Sequence, residues 1–434
     1  MNEQPRHTAG RARGAGLKKM MFRLPAAIRL MIAGQTARFS ESSKLREETD
    51  ALGWNEAAAR TVIADIEEQL RRAGTSRTAK EEFNAEDLRL GEEIAEETRR
   101  AGASNVSRTE AYLSCYQAYP ELHWAFLAHM VSRNAGWNMT DLHSSRMADA
   151  IDAEEKRLTY RFLERSNALI FQDAYPQLLL YMKSRELGSG RFHLLPYFHV
   201  SRFMRPFWER FWIDRGSALL TVGLIINEQN YIEKRVVRHP FFQKNVTGKM
   251  NFHLFSLAGL NQVVFPLLEQ AADEGKEAGW VVRRLAGRTV SDFASLPARI
   301  ALGKSLYAML MGYRAVRDGA ERFAASVPHS GSRADYWPDL FTANLDEALT
   351  AKVQGSELLA GETLPPGQRL YSPKLLSVWG DTPYEPISRE DWLKDQSALD
   401  GISAPKAPFL CDISREHRNG ILKTAFVHDA VEDR

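Results

Sequence analysis

The sequence predicts an all-α protein: one large helical bundle domain with an N-terminal helical extension and an irregular C-terminal segment. Three observations predict it. Apolar residues recur at helical spacing through most of the chain, bounded by capping residues and glycines. Convincing apolar–polar alternation, the mark of a half-buried strand, is absent. The 434 residues are 44% hydrophobic and 26% charged, a balance that suits a globular body with a sizeable core.

The first hundred residues are divided by charge. Residues 1–40 carry a formal charge of +7 and residues 41–104 one of −6. The basic stretch reads as a solvated tail, or as a membrane-surface helix around "LKKMMFRLPAAIRLMIAG" whose Lys and Arg meet anionic lipid. The pair Met20 and Met21 leaves either open as an alternative start to Met1. After it, "WNEAAARTVIADIEEQLRRAG" has Asn55 at the N-cap position, a stripe of Val62, Ile63, Ile66 and Leu70, and Gly74 at its end. "NAEDLRLGEEIAEETRRAG" is a second, acidic helix with a thin stripe of Leu88 and Ile94. Together they read as an appended hairpin, so that residues 1–104 form a basic tail plus an acidic helical extension.

Aromatic residues become frequent from Asn105, where the core domain (105–345) begins. "SRTEAYLSCYQAY" opens on a capping box of Ser107 with Glu110, and Pro120 suits the first turn of the next helix. That helix runs to Arg133, with Asn134 and Gly136 available as C-caps. "DAEEKRLTYRFLERSNALIFQDAY" carries a second box, Asp152 with Glu155. Pro176 then starts a new helix that Gly188 and Gly190 end, with Asp173 as its cap. "SRFMRPFWERFWIDRG" and "SALLTVGLIINEQNYIEKRVV" follow, then helices around Leu254–Leu268 and Pro297–Met311. Residues 346–434 are rich in Pro, Gly and charge without a sustained period, and are expected as irregular structure packed on the core.

Several function classes are excluded or disfavoured by these totals. A net charge of +2 does not suit a nucleic-acid binder, and no nucleic-acid partner is expected. The only cysteines, Cys115 and Cys411, lie far apart without metal spacing, which suits a reducing cytoplasm and excludes a disulfide framework. The longest apolar run, "ALLTVGLII" from Ala218, is nine residues, against about 20 for a membrane span. The segment "LPAAIRLMIAG" holds an Arg and a Pro that a secretory core should lack. The chain reads as a cytoplasmic protein, with peripheral contact to the inner membrane face as the variant that the basic tail would supply. A nucleophile elbow, a Walker loop and a dinucleotide fingerprint are missing, and the sequence names no cofactor and no metal site.

The chemistry is concentrated where polar residues stand on helices that are apolar all round. In "HWAFLAHMVSRNAGWNMTDL", at about 100° per residue from Leu122, apolar residues surround the axis. His129 (about 340°) and Arg133 (about 20°) share a face, whereas His123 (about 100°) looks elsewhere and Trp124 stands at about 200°. In "ALLTVGLIINEQNYIEK", Glu228 falls in the middle of an apolar arc. It is read as a buried carboxyl that either keeps its proton or pairs with Arg133, His129 or Arg333. A histidine or carboxylate inside a bundle is more often a satisfied structural group than a catalyst. Perturbed groups that cluster remain the default place to look for a site.

Other polar stretches weigh less. Gln172 and Asp173 in "FQDAYPQ" add to the same region, and His193 and His199 on an aromatic loop read as packing. "PHSGSRADYW" reads as a structural turn first and an anion-binding turn second.

The stretch "SRTEAYLSCYQAYPELHWAFLAHMVSRNAGWNMTDL" resembles the YppC-like family of bacterial proteins, a domain of unknown function. "FQDAYPQLLLY", "FHLLPYFHVSRFM", "ALLTVGLIINEQNYIEKRVV" and "GSRADYWPDLF" extend the resemblance over roughly Asn105 to Leu340, and "LYSPKLLSVW" echoes it more weakly. The resemblance implies a bacterial cytoplasmic protein and carries over no activity, cofactor or catalytic residue.

Two hypotheses follow. The first is a hydrolase-type enzyme or binder of a small anionic ligand. Its pocket would be lined by His123, His129, Arg133, Asn134, Asn138, Asp141, Asn227, Glu228, Asn230 and Arg333. Glu228 or His129 would be the acid/base group, and Arg133 or Arg333 would hold the anion. The second is a non-catalytic helical scaffold that touches the membrane or a protein through the basic N-terminus and surface aromatics. Neither sets an oligomeric state.

Overall fold

The computed structural model describes residues 26–75, 82–144, 151–247, 261–270, 280–290, 292–349, 364, 367–382 and 389–422. The basic stretch before Ala26, including Met20 and Met21, lies outside the described residues. In chain order the helices are α1 (Ala26–Leu45), α2 (Glu56–Thr75), α3 (Ala85–Ala101), α4 (Asn105–Ala118) and α5 (His123–Asp141). They continue with α6 (Ala153–Leu187), α7 (Met204–Asp214), α8 (Ser217–Ile232), α9 (Leu296–Gly312) and α10 (Arg314–Ser326). The body is mostly α-helical with two small sheets, as its periodicity predicts for the helices. No helix among the described residues is long and apolar enough to cross a membrane.

The caps follow the sequence in most places. Asn55 accepts from the Ala58 amide, Asn84 from the Glu86 and Asp87 amides, and Asp152 from the Glu155 amide. Gly188 closes α6 in the left-handed region at φ 69°, where a side chain would be strained. The box at α4 is shifted: Ser104 is the cap and Ser107 its reciprocal partner, so that Ser107 answers Ser104 rather than Glu110.

α5 is the central rod. It touches α4, α6, α8 and α9, and its second half meets a β-hairpin. It also runs past Arg133 to Asp141. Neither expected C-cap ends it, because both have tertiary work. Asn134 pairs with a strand, as described below. At Gly136 a Cβ would stand 2.5 Å from His329 Nε2 and 2.6 Å from Asn105 Oδ1, so the glycine lets loop and helix approach.

α6 corrects a second boundary. It continues through Pro176 for 35 residues instead of restarting there, and Asp173 is therefore a mid-helix residue, not a cap. Pro inside a helix costs about 3 kcal/mol. Phe171, Tyr175, Leu178, Leu180 and Tyr181 on both sides of it are buried, and each such side chain contributes about 1.5–3 kcal/mol. Burial wins over the local preference.

The absence of strands is corrected too. β1 (Gln262–Gln270) and β2 (Trp280–Thr289) form an antiparallel hairpin over part of the expected helix Leu254–Leu268, whose residues 254–260 lie outside the described set. "QVVFPLLEQ" is buried from Val264 to Leu268 on both faces, so it shows no alternation, and a short apolar run of this kind looks like a helix segment. One face packs on α10. The outer edge of β2 is taken by the C-terminal segment: Gly287 donates to the Cys411 carbonyl at 2.8 Å and Ile413 donates to Leu285 at 3.0 Å. A Cβ at Gly287 would sit 2.3 Å from the Val263 oxygen. A second, minimal sheet pairs β3 (Phe341–Thr342) with β4 (Leu370–Tyr371) in parallel.

One apolar cluster runs from Leu45 to Leu422, and a smaller one surrounds Phe162, Tyr231 and Phe242. The two acidic-region helices join this body separately instead of forming an appended hairpin: α2 packs on α7, and α3 on α6 and the 3-10 turn Phe192–Phe198.

Candidate functional site

The faces of α5 sort the polar residues. His123 is at the N-terminal end, partly buried, with Nδ1 3.1 Å from the Tyr307 hydroxyl. Burial and then the charge of Arg317 push its pKa down to about 4. His129 and Arg133 share one face, as the wheel requires, and both are buried. His129 Nδ1 lies 2.8 Å from the Thr109 carbonyl, so that nitrogen carries the proton and donates. Burial, and Arg133 beside it, lower the ring to about 3; it is neutral.

Arg133 is a buried cation without a contacting carboxylate among the described residues. Its Nη2 donates to the Val327 carbonyl at 2.7 Å and to that of Pro328 at 3.3 Å, and its guanidinium lies 4.5 Å over the Phe323 ring. Burial lowers its pKa to about 10, so it stays charged at neutrality. Asn134, one residue on, bonds back to the Met130 carbonyl at 2.8 Å and otherwise serves the hairpin. Its Nδ2 donates to the Val264 carbonyl at 2.7 Å and its Oδ1 accepts from the Val264 amide at 2.8 Å. The amide side chain thus mimics one residue of a neighbouring strand.

Asn138, Asp141 and Arg333 form a separate group. Both Asp141 oxygens accept from Arg333 Nε, at 2.9 and 2.8 Å, and Nη2 lies 2.7 Å from Oδ2. The other donors of Arg333 reach Asn138 Oδ1, the Tyr336 hydroxyl and His417 Nε2. Burial opposes the charge of Arg333, but Asp141 and then Tyr336 outweigh it and raise its pKa. The turn at Pro328 is built the same way. Ser330 is bonded to Asp335, and Ser332 Oγ donates to the Ser372 carbonyl. Every expected anion receptor of that turn is spent on the fold.

Glu228 stands apart from all three. From Ala218 to Asn227 α8 is buried, and Tyr231 and Ile232 are buried again, yet Glu228, Gln229 and Asn230 keep accessible surface. Asn230 bonds back to the Ile226 carbonyl. Glu228 Oε1 accepts from Gln229 Nε2 at 3.2 Å, and no Lys, Arg or His forms an ion pair with it among the described residues. Its enclosed position pushes its pKa up to about 8, against the smaller opposing effects of Gln229 and Trp124, and Asp173 adds to the rise. It keeps its proton at neutral pH. The Trp124 face of α5 is about 180° from Arg133, so the structure does not bring Glu228 to the His129–Arg133 face.

Asp173 completes this neighbourhood. Its Oδ2 accepts from Asn227 Nδ2 and Gln177 Nε2, while its Oδ1 is buried with no donor among the described residues. Asn227 Oδ1 accepts from Trp392 Nε1 at 2.9 Å, and Gln177 Oε1 from Trp208 Nε1 at 2.8 Å. Burial raises the Asp173 carboxyl to about 7, Asn227 working against it. The Tyr112 hydroxyl, buried and without a hydrogen-bond partner among the described residues, is influenced by both carboxyls. Reading Asp173 as a cap hid it; once α6 is continuous, Asp173 and Gln177 are one turn apart on the face toward α8. Among the described residues no three His, Cys, Asp or Glu side chains group as metal ligands.

The family model described as "Protein of unknown function (DUF2515)" matches residues 100–405. The chain is 40% identical over 242 residues to "Uncharacterized protein YppC" of Bacillus subtilis (strain 168), which covers 56% of this chain and 71% of that protein. No solved structure matches.

Proposed function

Because the chain belongs to the DUF2515 family, whose description states no reaction, we propose from its own geometry that Glu228 is the proton-transferring group of a small-molecule site at the C-terminal end of α8. One observation carries the reading: Glu228 is a carboxyl on an otherwise buried helix that keeps accessible surface and has no cationic partner among the described residues. A carboxyl serving only the fold gains by pairing with Arg or Lys, as Asp141 does. One left neutral and reachable is set for general acid catalysis near pH 7.

Asp173 supports the reading as a second buried carboxyl that contacts no cation among the described residues, Arg235 acting on it only through its charge. Charge on Asp173 adds to the rise of Glu228, so near pH 7 Glu228 keeps its proton beside a carboxyl that is losing its own. The ligand that suits this environment is polar and uncharged at the end that meets Glu228. The anionic ligand would have to be held by Arg133, on the far side of α5, because Arg333 is closed by Asp141.

The test is a thermal-shift screen of neutral polar metabolites on the wild type and on Glu228→Gln, which keeps the shape and removes the proton. A ligand that raises the wild-type Tm and leaves Glu228→Gln unmoved supports the site. Ligands that stabilise both proteins equally would remove Glu228 from it.

A further inference from the structure

Gln229 and Glu233 stand one turn apart at the C-terminal end of α8 and its π-helical extension, and both reach Arg299 in the first turn of α9. Ser295 sets that turn by accepting from the Ala298 amide at 3.3 Å. Arg299 is 4% exposed, and each of its nitrogens has its own partner. Nε donates to Gln229 Oε1 at 2.9 Å, Nη1 to the Phe293 carbonyl at 2.7 Å, and Nη2 to Glu233 Oε2. Arg238 holds the other oxygen of Glu233 at 3.0 Å. Three separate acceptors fix the guanidinium in position and in rotation.

This arrangement leaves the Gln229 amide one orientation. A guanidinium only donates, so the oxygen of the amide must face Arg299; turned over, its N–H groups would meet another donor. The nitrogen is thereby directed to Glu228, and Nε2 donates to Oε1 at 3.2 Å. A neutral carboxyl whose Oε1 accepts carries its proton on Oε2. Trp124 of α5 is the other donor acting on this carboxyl, and Asp173 of α6 acts on it through charge, as it acts in turn on Tyr112 of α4. Among the described residues the side-chain bonds of Gln229 are those to Glu228 and Arg299.

Taking Glu228 as the proton-transferring group, the reading on which this step rests, we propose that Arg299 is its positioning residue. Arg299 locks the Gln229 amide, and the locked amide keeps Oε1 of Glu228 an acceptor, so that the proton is delivered from Oε2. The group that receives it on a ligand is an acceptor, such as a carbonyl, ether or hydroxyl oxygen, placed at Oε2. Lysine in place of Arg299 keeps the charge toward Glu233 and loses the planar fork. The amide is then free to turn its oxygen to the Glu228 O–H, which withdraws the proton from use.

The lock is tested on the full chain without any ligand, by following the infrared band of the protonated Glu228 carboxyl against pH, the band being the one that Glu228→Gln abolishes. Gln229→Met removes the donor that favours the carboxylate, and Arg299→Lys lets that donor turn away. Each is expected to weaken the Glu228 acid by about threefold or more. Because Arg299 works through Gln229, the double variant shifts no further than Gln229→Met alone. Glu233→Gln breaks the same ion pair but spares the Nε bond, and no weakening of the acid is expected from it. A wild-type titration in Arg299→Lys, shifts that add in the double variant, or Glu233→Gln imitating Arg299→Lys would each overturn the lock. If Arg299→Lys does not fold, Gln229→Met still decides, since an unmoved titration there overturns it as well. A wild-type Glu228 already ionised at neutral pH would remove the underlying reading and the lock with it; a raised titration indifferent to Gln229 and Arg299 removes the lock alone.

Discussion

Asp141 and Arg333 meet as a closed, multiply bonded ion pair in the protein interior, with contacts of 2.7–2.9 Å and neither side chain more than 1% exposed. The pair joins the end of α5 to the turn after α10, and through Arg333 it also holds Tyr336 and His417 of the C-terminal segment. Removing one partner leaves an uncompensated buried charge, worth about 3–5 kcal/mol. Asp141→Ala is therefore expected to lose that much in urea unfolding, and Asp141→Leu/Arg333→Met to recover a large part of it. A single substitution costing under about 1 kcal/mol would contradict the dry, closed pair.

Asn134 holds the hairpin to the core through both backbone groups of Val264. Asn134→Ala orphans an N–H and a C=O in a buried place, at about 1–3 kcal/mol for each group. Hydrogen exchange gives the specific readout: the Val264 amide should lose its protection ahead of the amides in α8. Equal protection in the two proteins would mean that the hairpin is held by packing on α10 alone.

The carboxyls at α8 predict a pH dependence with a definite sign. Glu228 rises from an ordinary value of 4.5 to about 8 on folding, and Asp173 from 3.8 to about 7. Between those values the folded state holds protons that the unfolded chain has released. The stability they contribute is complete below pH about 4 and is lost as pH climbs through 7 and 8. Glu228→Gln has no such proton to lose, so its Tm should overtake wild type above pH about 8. Parallel Tm–pH curves for the two proteins would show that Glu228 ionises normally.

Gly136 tests the contact between α5 and the His329 turn. Gly136→Ala drives a methyl into His329 Nε2 and Asn105 Oδ1, which now bond each other at 2.9 Å. A cost of about 1–3 kcal/mol is expected for overpacking of this kind. An unchanged unfolding midpoint would mean the turn moves aside freely.

Much of the secondary structure is legible in the chain because its signals are local. Asn55, Asn84, Asp152 and Gly188 mark helix ends through bonds or dihedrals within a few residues. The all-round apolar pattern from His123 to Arg133 likewise announces a helix buried on every side. Failures cluster where a distant contact outbids a local preference. Pro176 does not break α6 because neighbours bury both sides of it, and "VVFPLL" is a strand because α10 and the C-terminal segment cover its sheet.

The same division runs through the site. Residue order alone determined that His129 and Arg133 share a face, that His123 looks elsewhere, and that polar residues stand on two nearly apolar helices, since helical rotation is a property of the backbone. It also placed Glu228 among apolar neighbours, but it could not say which cation reached it. Only the packing of α5, α6 and α8 decided that Arg333 goes to Asp141, that Asn134 goes to β1, and that Glu228 meets Trp124 and Asp173, with no cation among the described residues. Pairing across helices depends on which faces meet, and that is set by the whole core filling its volume rather than by any one segment.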